Sequence, residues 1–331
     1  MTELRFVWIG CHAEGLPALV ALMTEGAPIR GVVTLASDRR ARRSAAIDYR
    51  PVCARFHLPL HEVADINGDD GLAALRALEP DIGFVIGWSQ IVRRPALRLA
   101  RSGMIGAHAS LLPHDRGSAP VNWALIRGAR ETGNSLFWLS EDLDAGDLID
   151  QTPIPVTPYD TCDTVYQRVA ASTRDMLLRL LPRLLAGERP RRRQPPTDEP
   201  LLPRRRPADG RIDWARSSCE VYNFVRALTR PYPGAFSWLD GRRWIVWHAA
   251  LLPRDDPTRA PPGTILGSVI SPVEAACGQA VACGPGTLVL LELEAEDGEI
   301  LRGRRLSEQV WAGKLFGADG SADGSPAESP R

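Results

Sequence analysis

Short apolar runs alternating with helical spacing fill the first third of the chain and restrict it to one fold class. Residues 4–10 (LRFVWIG), 29–37 (IRGVVTLAS), 81–88 (DIGFVIGW) and 102–110 (SGMIGAHAS) are strand-length and apolar almost throughout. Strands covered on both faces have that composition. Between them, LPALVALMTEG closes on Gly26, YRPVCARFHLPLHEV reads as a helix and then a short strand, and LAALRALEP reads as another helix. Such alternation builds a twisted, mostly parallel sheet through right-handed crossovers, with helices on both faces. Ligands of these sheets bind beyond the carboxyl ends of the strands. The stretch GCHAEG, Gly10 to Gly15, follows the first strand but has neither Gly-Lys-Ser/Thr nor G-x-G-x-x-G, which argues against a nucleotide-phosphate loop.

Further along, VNWALIRG is a short helix ended by Gly128, and residues 133–140 and 147–156 alternate as paired strands. Residues 160–187 form a long amphipathic helix that Asp160 or Thr161 can cap, with Gly187 just past its end. Residues 188–210 are dense in Pro and Arg and read as an extended connector that wraps the first domain. From 211 the pattern is short strands and turns, including an Asp240-Gly241 hairpin turn. The expected class is α/β: a Rossmann-like domain over 1–187, the linker 188–210, a small β-barrel-like (OB-type) domain over 211–313, and a disordered tail 314–331.

Composition narrows the partners. The 331 residues carry a formal net charge of +0, and Lys314 is the only lysine. No overall field draws the chain to nucleic acid or to an anionic membrane. The six cysteines are scattered without C-x-x-C or zinc spacing, so buried or idle thiols in a reducing compartment are expected, and no metal. No apolar run reaches the ~18 residues of a membrane span. The N-terminus has no basic region followed by an apolar run and a cleavage site. The expected location is the cytoplasm, and a homodimer is left open.

The chemistry is expected around IGAHASLLPHDRGSAPVNW, residues 105–123. His108 stands at a strand end, before a Leu-Leu-Pro corner and an Arg-Gly turn, and LDAGDLI brings Asp144 and Asp147 on another loop. A histidine beside a carboxylate is suited to moving protons during acyl transfer. A lone histidine at such a place is otherwise a satisfied structural residue. Asp147 either shares work with Asp144 or faces outward. His114 reads as a surface residue, and His12 as either a surface turn or an approach to a substrate. The five arginines of residues 38–50 read as a solvated loop or a contact to a substrate phosphate.

The run HASLLPHDRGSAPVNWALIRGARETGNSLFWLSEDLDAGDLIDQ resembles the folate-dependent formyltransferases, and DGRIDWARSSCEVYNFVRALTRPYPGAFSWLDGRRWIVWHA resembles the junction with their C-terminal domain. PVNW and LRGRRLSEQVW look more like the amino-sugar and small-molecule branch than the tRNA branch. The resemblance implies 10-formyltetrahydrofolate as cosubstrate and a small-molecule amine as acceptor, with methionyl-tRNA as the alternative acceptor. It implies that His108 stabilises the oxyanion or shuttles a proton and that Asp144 orients it. It implies a folate pocket lined by Trp88, Ile91, Ser110, Leu111, Leu112, Leu139, Asp142 and Asp144. The family's asparagine donor, two places before the histidine, is here Gly106. Three explanations stand. A backbone N–H or water serves; another side chain in TGNS, which holds Asn134 and Ser135, serves, with Asn134 as the replacement donor; or the protein no longer formylates and keeps the fold to bind folate or to catalyse something related.

Overall fold

The structure is a computed structural model that describes residues 4–252 and 259–317. Two compact units divide the chain: residues 1–124 with 129–205, and residues 125–128 with 206 onward.

In the first unit the strands are β1 (Phe6–Ile9), β2 (Ile29–Leu35), β3 (Leu60–Val63), β4 (Ile82–Val85), β5 (Gly103–His108), β6 (Glu131–Trp138) and β7 (Leu148–Pro155). Between them run α1 (Leu16–Thr24), α2 (Ser37–Arg40), α3 (Arg50–Phe56), α4 (Asp69–Leu78), α5 (Arg94–Leu97) and α6 (Pro120–Ile126), and after them α7 (Cys162–Leu185). One sheet has the order β3-β2-β1-β4-β5-β6-β7. The first five strands pair in parallel; β6 is antiparallel to β5, and β7 to β6. The α/β expectation is met, and the strand order reverses between β1 and β4.

Alternation along each strand explains burial on both faces. Phe6, Trp8, Ile82, Phe84 and Ile105 pack with Leu19 and Leu22 of α1 and Leu177 and Leu180 of α7. Val7, Ile9, Val85 and Met104 face the other way, onto Leu75 and Leu78 of α4. Thr161 caps α7: its side chain accepts the Thr164 N–H while the Thr164 hydroxyl accepts the Thr161 N–H. Gly187 follows with φ 87°. No helix among the described residues is long and apolar enough to cross a membrane.

Residues 190–203 run along the first unit. Arg192 bridges Leu148, Leu202 bridges Gly117, and Trp138 Nε1 donates to the Pro190 carbonyl at 2.9 Å. Arg191 lies over the Trp138 ring, 4.2 Å from its centre, and Trp123 Nε1 donates to the Pro203 carbonyl. Proline-rich backbone spends few N–H groups on itself, so side chains and isolated bridges do the docking.

The second unit holds β8 (Ala235–Leu239), β9 (Arg242–Leu251), β10 (Ile265–Val269), β11 (Gly278–Ala282), β12 (Thr287–Ala295) and β13 (Ile300–Arg302), with helices α8 (Ser218–Leu228) and α9 (Arg304–Ser307). They form one antiparallel sheet, β10-β11-β12-β9-β8, with β13 also on β12. Asp240 and Gly241 both have positive φ, as a two-residue hairpin turn requires. The expectation of disorder from 314 is corrected at its start. Residues 314–317 are placed, because Phe316 stacks on Trp214 at 5.6 Å and the Lys314 carbonyl accepts the Ile265 N–H. The rest of that tail, 318–331, lies outside the described residues.

Candidate active site

β5 delivers His108 to the carboxyl end of the sheet, where the ring is 8% exposed. Its Nε2 lies 2.8 Å from the Asp115 carbonyl oxygen, and its Nδ1 lies 3.6 Å from Asp144 Oδ2. A carbonyl only accepts, so Nε2 carries a proton. Asp144 sits at φ 52° in the loop after β6, and its Oδ2 accepts the Gly117 N–H at 2.9 Å. The Arg-Gly turn therefore aims the carboxylate at the histidine. Asp147 makes no such approach: its half-exposed carboxylate lies 3.9 Å from Arg191.

A residue outside the sequence motifs holds this arrangement together. Gln194, buried in the Pro/Arg-rich segment, donates through Nε2 to the carbonyls of Asp144 (2.9 Å) and Gly146 (2.7 Å). Its Oε1 accepts from Arg116 at 3.1 Å. Leu202 binds the opposite loop through its own N–H to the Arg116 carbonyl and its carbonyl to the Ser118 N–H. One strap thus ties both loops that meet at His108. Gln194→Ala should cost about 2–3 kcal/mol, because the buried Gly146 carbonyl and the part-buried Asp144 carbonyl lose this donor. A thermal melt would show this.

The register of β5 and β6 sorts the remaining candidates. His108 pairs with Ser135 and Gly106 with Phe137, so these four share a face and Asn134 lies on the other. The Asn134 amide is buried against α7, donating to the Val169 carbonyl, Ser172 Oγ and Thr173 Oγ1. It cannot replace the missing donor, and that expectation is corrected. A one-residue step in a strand reverses the face, which outweighs proximity in sequence. At Gly106, a Cβ would come 2.6 Å from Leu139 Cδ2 and 3.4 Å from Phe137 Cε1. Apolar side chains fill the space where a residue-106 side chain would project.

Of the folate-lining expectations, Ser110 is buried with its hydroxyl donating to the His114 carbonyl, and Leu112 is core. Leu111 covers Gly133, where a Cβ would lie 2.4 Å away from it. Leu139 packs over Gly106, Asp142 is exposed, and Ile91 is 58% exposed. Trp88 is half-buried, and its Nε1 is buried without a partner among the described residues. His114 is on the surface, 2.6 Å from Glu199. Sequence reasoning passed over Glu14, on the short turn after β1. Burial pushes its carboxyl up to about 7, and the signal was its place one turn past a strand end.

A family model described as "Formyl transferase" matches residues 18–181, and one described as "Formyl transferase, C-terminal domain" matches residues 205–309. Among solved structures, HypX from Aquifex aeolicus in complex with tetrahydrofolic acid is similar at TM-score 0.64 and 16% identity, over 92% of this chain and 47% of that one. The chain therefore spans about half the length of HypX. An N-formyltransferase from Helicobacter canadensis, in complex with folinic acid and dTDP-3-aminofucose, is similar at TM-score 0.64 and 14% identity, over 87% and 99% of the two chains. Methionyl-tRNA formyltransferase from Clostridium thermocellum gives 0.57 and 15%, over 76% and 94%. At these identities the likeness to the solved structures is one of fold.

Proposed function

Because this chain belongs to the formyl transferase family, we propose that it transfers a formyl group from 10-formyltetrahydrofolate to the amine of a small biosynthetic intermediate, such as an amino-sugar nucleotide or a siderophore or peptide precursor. The observation that carries this reading is the His108–Asp144 pair, 3.6 Å apart at the carboxyl end of the sheet. Asp144 orients the ring and is placed to accept the proton released as nitrogen bonds to the formyl carbon. His108 is placed to offer its Nε2 proton to the formyl oxygen as charge grows there, exchanging its bond to the Asp115 carbonyl. A preorganised donor of this kind contributes roughly 3 kcal/mol to such a transition state. The bond from the formyl carbon to the folate nitrogen then breaks, and that nitrogen takes up the proton that Asp144 received from the amine, which restores the carboxylate.

Trp88 and Ile91 fit a heteroaromatic ligand. Trp88 offers a buried N–H without a partner among the described residues, and Ile91, three residues on, offers an exposed aliphatic face. They, with Leu139, would hold the folate, which supplies the activated one-carbon unit. The folate-type ligands named for the HypX and Helicobacter canadensis structures support the same class of cosubstrate.

Gly106 favours a second reading, folate binding without transfer, since Leu139 and Phe137 crowd the position of the family's amide donor. Mixing the protein with 10-formyltetrahydrofolate and a panel of amines separates the two. Tetrahydrofolate release that depends on the amine is the expected result. Tight folate binding with no release under any amine would establish the second reading.

A further inference from the structure

Trp88 and Ile91 stand on the segment between β4 and α5, which has little of its own to fix its shape. Among the described residues, no main-chain group of residues 88–92 bonds to another main-chain group. Outside helices and ladders, the conformation of such a stretch is left to side chains and to burial. Burial acts at one point: Val92 sits in the apolar cluster of Ile66, Leu75 and Met104. Trp88 is half-buried against that cluster and Ile91 is exposed. One buried side chain anchors the segment without setting the direction of the residues before it.

Two amide side chains supply the rest. Asn67, half-buried in the loop between β3 and α4, donates through Nδ2 to the Ile91 carbonyl at 2.9 Å and accepts the Arg93 N–H on Oδ1 at 2.8 Å. Gln90 reaches the opposite way. Its Oε1 accepts the Ile66 N–H and its Nε2 donates to the Ala64 carbonyl, both at 2.9 Å. Each amide therefore meets one main-chain donor and one main-chain acceptor of the other loop, as only a group with both functions can. The second hydrogen of Asn67 Nδ2 goes to Asp65 Oδ1 at 3.2 Å, which fixes the amide's orientation.

The loop that grips is itself fixed on α4. Asp70 Oδ2 accepts the Ala64 N–H at 2.6 Å. A Cβ at Gly71 would lie 2.4 Å from the Asp65 carbonyl oxygen and 2.5 Å from Ile66 Cα, so a bare glycine lets the loop lie directly on the helix. A rigid helix thus holds residues 64–67, and these hold residues 90–93.

We propose that Asn67 and Gln90 are positioning residues for folate binding, which act through the main chain of the Trp88–Ile91 segment. The assignment rests on the folate reading above. Removing one amide cuts two of the four bonds that hold the segment, and should lower the population of its binding shape about 10-fold. Apparent affinity then falls by the same factor, because the ligand must restore that shape. Once folate is bound the shape is restored, so the loss belongs to KM and not to kcat. Asn67 and Gln90 make no hydrogen bond to His108 or Asp144.

Calorimetric titration of the full chain with folinic acid tests this. Asn67→Ala and Gln90→Ala should each weaken binding about 10-fold, and the double variant about 100-fold, because the two bridges hold different points of one segment. Asn67→Asp keeps the size of the side chain and an oxygen for Arg93 but loses both donor contacts, so it should weaken binding as alanine does. With 10-formyltetrahydrofolate as substrate, KM should rise in step with the Kd for folinic acid while kcat holds. Hydrogen exchange at residues 88–93 should quicken in the ligand-free variants and return to the wild-type rate with folinic acid bound, with the rest of the first unit unchanged. Melting temperatures should fall by no more than roughly 4 °C. Wild-type affinity in both alanine variants, a kcat that falls as far as the affinity, or exchange quickened throughout the first unit would each overturn the proposal. No binding of folinic acid by the wild type would sink the folate reading itself, and the proposal with it.

Discussion

Replacing His108 by alanine, or Asp144 by asparagine, is expected to lower amine-dependent tetrahydrofolate release by about 100- to 10,000-fold, the usual contribution of a positioned acid or base. The two variants should reach similar rates, and the double variant should be little worse than either, because the pair acts as a unit. Asparagine keeps an oxygen for the Gly117 N–H, so the loop should hold its shape while losing its charge. In His108→Ala the hydrogen bond between the ring and the Asp115 carbonyl is lost, a cost of about 1 kcal/mol. Folate affinity should survive in both. Single-turnover kinetics at saturating folate measure the effect, and near-wild-type rates in either variant would remove the pair from the reaction.

Gly146→Ala should be the most destabilising single methyl in the catalytic region. A Cβ at 146 would sit 1.7 Å from the Trp138 carbonyl oxygen and 2.9 Å from its carbon, which are backbone atoms and cannot swing aside. The loop must therefore move, at a cost of about 3 kcal/mol, or a fall in Tm of roughly 6–12 °C. Gly146 lies two residues from Asp144 and its carbonyl accepts from Gln194, so the displacement should also pull the carboxylate from His108. Activity and melting temperature should fall together, unlike Asp144→Asn, where activity alone falls. Gly106→Ala makes a useful contrast: its nearest clash is the end of the Leu139 side chain, which can rotate. A wild-type melt for Gly146→Ala would show that the loop has slack the geometry does not reveal.

Much of the site was legible because its signals are local. His108 ends an apolar strand, Asp144 stands two residues before Gly146 in a tight loop, and both lie where α/β sheets expose their strand ends. Asn134 misled because an amide gained near an amide lost looks like compensation. The β5–β6 register, a non-local fact, turned it toward α7. Gln194 was illegible for another reason. A lone glutamine among prolines and arginines has no periodicity, and its role exists only because the strap crosses two loops far from it in sequence.

By itself the order of residues determined the α/β class, the two-part organisation of the chain and the identities of the histidine and carboxylate, because these follow from hydrophobic period and local turn chemistry. Only the tertiary structure decided which face each strand residue presents, that Leu139 and Phe137 fill the space at Gly106, and that Gln194 ties together the two loops that meet at His108. Those outcomes depend on register and on contacts between distant segments. Such contacts arise when the sheet buries both of its faces, and no stretch of sequence encodes them alone.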